Sequence, residues 1–128
     1  MPLEEPFVPA EWYRLADQDI QRAKILLRED DYSGAGFFLQ QCIEKYLKGF
    51  LLSKGWRLRK IHDLSELLNE AVVHLPALEL FRKECHRMSR YYVVERYPSD
   101  ENMELTRTEL EKALGQTVAF IKSIQESG

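Results

Sequence analysis

Apolar residues recur along this chain at helical steps. Trp12, Leu15, Ala16, Ile20, Ala23, Leu26 and Leu27 follow one another at intervals that lay an apolar stripe on a helix from about Pro9 to Glu29. A second stripe, Ala35, Phe38, Leu39, Cys42, Ile43, Tyr46, Leu47, Phe50 and Leu51, predicts a long helix over Tyr32 to Lys54. Its opposite face carries Gln40, Gln41, Glu44, Lys45 and Lys48, a solvated face on pattern alone. Leu64, Leu67, Leu68 and Ala71 predict a third helix over Leu64 to Val73. A fourth is expected from Pro76 to Arg90, with Leu80, Phe81, Cys85 and Met88 inward. Tyr91 to Asp100 departs from helical periodicity. Its aromatic and β-branched residues suit a short strand, yet no partner strand is evident. Leu110, Ala113, Leu114, Val118, Ile121 and Ile124 predict a last helix over Arg107 to Gln125.

The punctuation between the stripes agrees with them. Pro9 suits a first helical turn, where its missing N–H costs nothing. Asp31 is a candidate N-cap, and Asp63 with Glu66 and Thr106 with Glu109 have the spacing of capping boxes. Gly34 and Gly36 remove bulk where another backbone can approach, and Gly55 can close the second helix in the left-handed conformation. Short connections between successive helices favour an all-α, antiparallel up-and-down bundle of four to five helices. Residues 1–8 read as a flexible N-terminal arm and 9–128 as one helical domain.

Composition narrows the classes. The 128 residues are 45% hydrophobic and 30% charged, as in a globular domain. The formal net charge of −3 provides no global basic field for nucleic acid, which leaves room only for a local basic patch. Cys42 and Cys85 sit in apolar helical patterns and make no CxxC pair, so they read as buried, reduced thiols. The acidic, proline-bearing start lacks the basic and apolar regions of a signal peptide, and no apolar run approaches membrane-spanning length. A cytoplasmic location without a membrane partner is expected.

Candidate chemistry is sparse. Phosphate-loop, dinucleotide and HExxH motifs are absent. His62, His74 and His86 have no partners at metal-ligand spacing, so neither a metal nor a cofactor is expected. Two regions remain. Arg57, Arg59 and Lys60 precede His62 at a helix start, and Lys45 and Lys48 lie on the helix before them; together they can hold a phosphate. The plainer alternative has Asp63 capping the helix, His62 packed over it and the cations solvated. The second region, Ser89 to Pro98, interleaves Tyr91, Tyr92 and Tyr97 with Arg90 and Arg96, offering stacking faces and guanidinium forks. Its alternative is a structural turn whose aromatics cap the bundle.

Four blocks together resemble the HEPN domains (higher eukaryotes and prokaryotes nucleotide-binding). They are Ala16-x-x-Asp19-x-x-x-Ala23, Gln40-Gln41-x-x-Glu44-Lys45-x-x-Lys48, Lys60-x-His62-Asp63-Leu64-x-x-Leu67 and Tyr92-x-x-x-Arg96-Tyr97-Pro98, in the order of that family. The resemblance implies a helical bundle that forms a homodimer, often paired with a minimal nucleotidyltransferase in a toxin–antitoxin-like system. Some such proteins are metal-independent RNases, others only bind nucleotides or act as interaction modules. The RNases use an arginine followed, after four to six residues, by a histidine late in the bundle. Here Arg82 and His86 have three residues between them and miss that pattern, whereas Arg57 and His62 match it between the second and third helices. The first reading is therefore a nucleotide- or RNA-phosphate-binding module using Lys45, Lys48, Lys60, His62, Tyr92, Arg96 and Tyr97. The second is an RNase in which His62 works with Arg57, or with Arg96 brought near by folding. The third is a non-catalytic protein-interaction module.

Overall fold

The computed structural model describes residues 8–57, 59–96 and 105–127, with the backbone alone at 92–96. Its elements are α1 (Pro9–Arg28), α2 (Tyr32–Ser53), α3 (Leu64–His74), a 3-10 segment (Pro76–Phe81), α4 (Arg82–Arg96) and α5 (Arg107–Glu126). The fold is an all-α bundle, as the stripes predict.

The ends of α1 and α2 close in the same way. Asp30 takes φ 63° and Gly55 φ 86°. The next amide then reaches back five residues, Asp31 N to Leu26 O at 2.8 Å and Trp56 N to Leu51 O at 2.9 Å, which occupies carbonyls the helix leaves open. The three predicted N-caps form: Asp31 accepts from the Gly34 amide, Asp63 from those of Ser65 and Glu66, and Thr106 from that of Glu109. Arg107 donates to the Leu27 carbonyl at 3.0 Å and pairs with Asp30, which ties the start of α5 to the α1–α2 turn.

α2 is the axis of the domain. It packs on α1, α3, α4 and α5, and the residues from Gly34 to Leu51 are buried except for half-buried Phe37, Phe38, Gln41 and Lys45. Two glycines let neighbours close on it. A Cβ on Gly36 would lie 3.0 Å from the Tyr91 ring, and one on Gly49 would lie 2.7 Å from that of Tyr13. Gly36 therefore does serve close approach, by an aromatic ring rather than a backbone.

Three local expectations are corrected. The stretch after Pro76 begins as a 3-10 segment, whose threefold turn puts Leu78 and Phe81 on the core side and leaves Leu80 85% exposed. Tyr91 does not break the helix. It follows Cys85 and Met88 at three-residue steps into the core, and α4 continues to Arg96. On α5 the inward line is Leu110, Ala113, Thr117, Phe120 and Ile124, with Val118 turned outward. Thr117 can be buried because its hydroxyl donates to the Ala113 carbonyl at 2.8 Å.

Candidate phosphate-binding site

Because most of α2 lies inside the bundle, some of its polar residues go inward too. Gln40, Glu44 and Lys48 stand one turn apart, and all three are buried. Lys48 Nζ lies 3.2 Å from Glu44 Oε2 and 5.2 Å from the centre of the Trp12 ring. Gln40 donates to Glu44 Oε1 at 3.3 Å, and Gln41 donates to Gln40 at 2.6 Å. One residue on from Glu44, Lys45 donates to the buried Asp19 of α1, which also accepts from Arg22 at 3.0 Å. These contacts supply the partners that a buried charge requires.

The stripe reaches the surface at His62. Its Nδ1 lies 3.0 Å from Glu44 Oε2, while its side chain stays 65% exposed. Gln40, His62, Asp63 and Ser89 line a small cleft of about 250 Å³. A buried carboxylate on one ring nitrogen fixes the orientation of an imidazole and leaves the other nitrogen for solvent or a ligand.

A larger cleft of about 510 Å³ reaches the start of α3 at Ser65 and is otherwise lined by Arg82, Lys83, His86, Arg87 and Arg90 of α4. Cys85, Met88 and Tyr91 hold the opposite side of α4 in the core. That anchoring turns 82, 86 and 90 outward as one row and 83 and 87 as a second. Arg82 is partly committed, its Nε donating to Glu79 at 2.8 Å, and Arg87 lies 3.9 Å from Glu84. Lys83, His86 and Arg90 have no ion pair with a carboxylate among the described residues. Several cations on one rigid helix, beside a helix N-terminus, make a surface that attracts phosphate oxygens.

The residues singled out from sequence scatter over this frame. His62 and Gln40 meet at the small cleft, next to the basic row of α4. Lys45 and Lys48 do not join them, being held by Asp19 and by Glu44 with Trp12. Arg57 and Lys60 are exposed on the connector, and Arg59 stacks over Trp56 and pairs with Glu70. Tyr97 and the side chains of Tyr92 and Arg96 lie outside the described residues. Sequence reasoning passed over Arg82, Lys83, His86, Arg87 and Arg90 as a group. The signal was there, since the inward positions 81, 85 and 88 leave 82, 83, 86, 87 and 90 to the opposite face.

Among the described residues no group of histidines, cysteines and carboxylates could hold a metal ion, and no helix is long and apolar enough to cross a membrane.

Comparison with known proteins agrees with this architecture. The HEPN domain model matches residues 9–127. A crystal structure of TT1696 from Thermus thermophilus superposes with a TM-score of 0.83 at 26% identity, covering 94% of this chain and 98% of that one. ST0689, described as an archaeal HEPN homologue, superposes with a TM-score of 0.73 at 22% identity, covering 93% and 96%. Among curated proteins, "Putative toxin MJ1304" of Methanocaldococcus jannaschii is 24% identical over 90 residues, which is 65% of this chain. The match spans 59% of the length of that relative.

Proposed function

This chain belongs to the HEPN domain family, and from that premise we propose that it is a toxin-like module that binds the phosphates of a nucleotide or RNA. The observation that carries the reading is the basic face of α4 over the 510 Å³ cleft, with His62 and Gln40 beside it. The toxin designation of the archaeal relative supports the toxin-like part. A homodimer and a minimal nucleotidyltransferase partner complete the proposal on family resemblance alone. Titration of ATP, GTP and a short single-stranded RNA at low salt tests it, because phosphate contacts are strongest there. Saturable binding that weakens in Lys83→Ala with Arg90→Ala is expected. Failure of all three ligands to bind refutes the assignment.

One contact favours a second reading, metal-independent RNA cleavage. His62 has its Nδ1 against the buried Glu44 carboxylate. With Nδ1 donating, Nε2 is left to take the proton of a 2′-hydroxyl, while an arginine of the α4 row stabilises the charged phosphate. RNA incubated with the protein in EDTA decides between the two. Cleavage that disappears in His62→Ala makes the protein an RNase, and intact RNA leaves it a binding module.

A further inference from the structure

About ten residues beyond Gln40 on α2, roughly 15 Å along its axis, a separate cleft of about 480 Å³ opens between α1, α2 and α5. Its volume lies in the range of small-ligand sites. Tyr13 and Asp17 of α1, Tyr46 and Phe50 of α2, Lys54 and Gln125 line it. The Tyr13 and Tyr46 rings stack with centroids 5.1 Å apart and planes inclined by 26°. The Tyr46 hydroxyl donates to Asp17 Oδ1 at 2.5 Å. Burial and the Asp17 carboxylate both push the Tyr46 phenol above its ordinary pKa, so the ring stays neutral. The phosphate-binding reading uses none of these groups.

Three features give this cleft one preference of charge. Aromatic faces carry negative quadrupole density; Tyr46 and Phe50 are buried, with Lys54 over Phe50, so half-buried Tyr13 and the face that Lys54 covers are the ones a ligand can meet. Asp17 brings a carboxylate at an exposed position. α2 ends at Ser53 and α5 at Glu126, so both helices direct their negative ends here. Among the described residues that line the cleft, the opposing charge is that of Lys54. Lys54 Nζ rests 5.4 Å from the centre of the Phe50 ring, so an ammonium of the protein already occupies an aromatic face of the cleft. Its exposed stem can swing into water. We propose that the cleft binds a small organic ammonium, an amine or a quaternary ammonium compound, which takes the place of Lys54 over the rings and pairs with Asp17.

Calorimetric titration of the whole chain with choline, with putrescine and with the uncharged carbon isostere of choline tests this. Choline or putrescine should bind saturably, and the neutral isostere roughly tenfold more weakly than choline. Lys54→Gln, which removes the competing cation, should tighten binding of the ammonium. Asp17→Asn keeps an oxygen to accept the Tyr46 hydroxyl and should weaken binding by about tenfold. Saturable binding of neither cation to the wild type or Lys54→Gln overturns the proposal. Equal affinity for choline and its isostere, or weaker binding in Lys54→Gln, does the same.

Discussion

Two helices of this bundle carry a row of polar and charged side chains, and the rows have opposite fates. On α2, Gln40, Glu44 and Lys48 are enclosed by neighbouring elements and are satisfied by one another, by Trp12 and by His62. On α4, Arg82, Lys83, His86, Arg87 and Arg90 face a cleft. The presence of a cation does not separate the two rows, since Lys48 stands in one and Lys83 in the other. Burial does: α2 and α4 both pack against several elements, but Gln40, Glu44 and Lys48 lie inside the packing and become structure, whereas Lys83, His86 and Arg90 stay exposed and can meet a ligand. The difference separates structural charge from functional charge in a fold whose sequence contains many of both.

The first way to break this comparison is to treat the inner row as if it were the outer one. Lys48→Met takes the buried cation from the Glu44 carboxylate, leaving it Gln40 and His62, and should cost about 1–3 kcal/mol in urea unfolding. Adding Glu44→Gln should recover most of that loss, because a charge no longer lies buried without its partner. A Lys48→Met protein of wild-type stability would mean that the inner row is not structural.

Gly36→Ala sharpens the same point. The new methyl would meet the Tyr91 ring at 3.0 Å, where α4 is pressed against α2. Overpacking of this kind should cost about 1–3 kcal/mol, read as a lowered urea midpoint.

α4 carries the contrast within itself. Burial pushes the Cys85 thiol up to about 12, chiefly by desolvation, and it lies on the inward side. A thiol whose folded pKa is raised favours the folded state at low pH. Stability should therefore fall as pH climbs from the unfolded value of about 8.5 toward about 12. Cys85→Ala should make that alkaline limb shallower, measured as unfolding midpoint against pH, while Cys42, Tyr13, Tyr46 and Tyr91, also raised by burial, keep the rest of it. On the outward side, Lys83→Ala and Arg90→Ala should each change stability by no more than about 0.5 kcal/mol.

Much of the fold was legible in the sequence. The apolar stripes marked the helices, and Asp31, Asp63, Thr106 and Gly55 marked where they start and stop. What escaped depends on tertiary packing. Leu80 has the right residue type for a core position, but the 3-10 turn after Pro76 moves Leu78 and Phe81 inward instead. Tyr91 looked like the end of a helix because its aromatic, β-branched neighbourhood suits a strand; only the space left by Gly36 shows why its ring belongs in the core. The candidate site was less legible. Lys45 and Lys48 share a helix face with Gln41 and Glu44, and nothing local reveals that other elements cover that face. The α4 row was hidden for another reason: its five residues become one surface only when packing of Cys85, Met88 and Tyr91 fixes which side of the helix faces out.

The salt dependence of RNA binding tests the central claim most directly. The logarithm of the association constant of a single-stranded RNA, plotted against the logarithm of salt concentration, gives a slope of about −0.7 per phosphate contact. If the outward row of α4 holds the phosphates, Lys83→Ala combined with Arg90→Ala should reduce the magnitude of that slope by about 1.4 while the fold stays intact. An unchanged slope in a folded double variant would contradict the account.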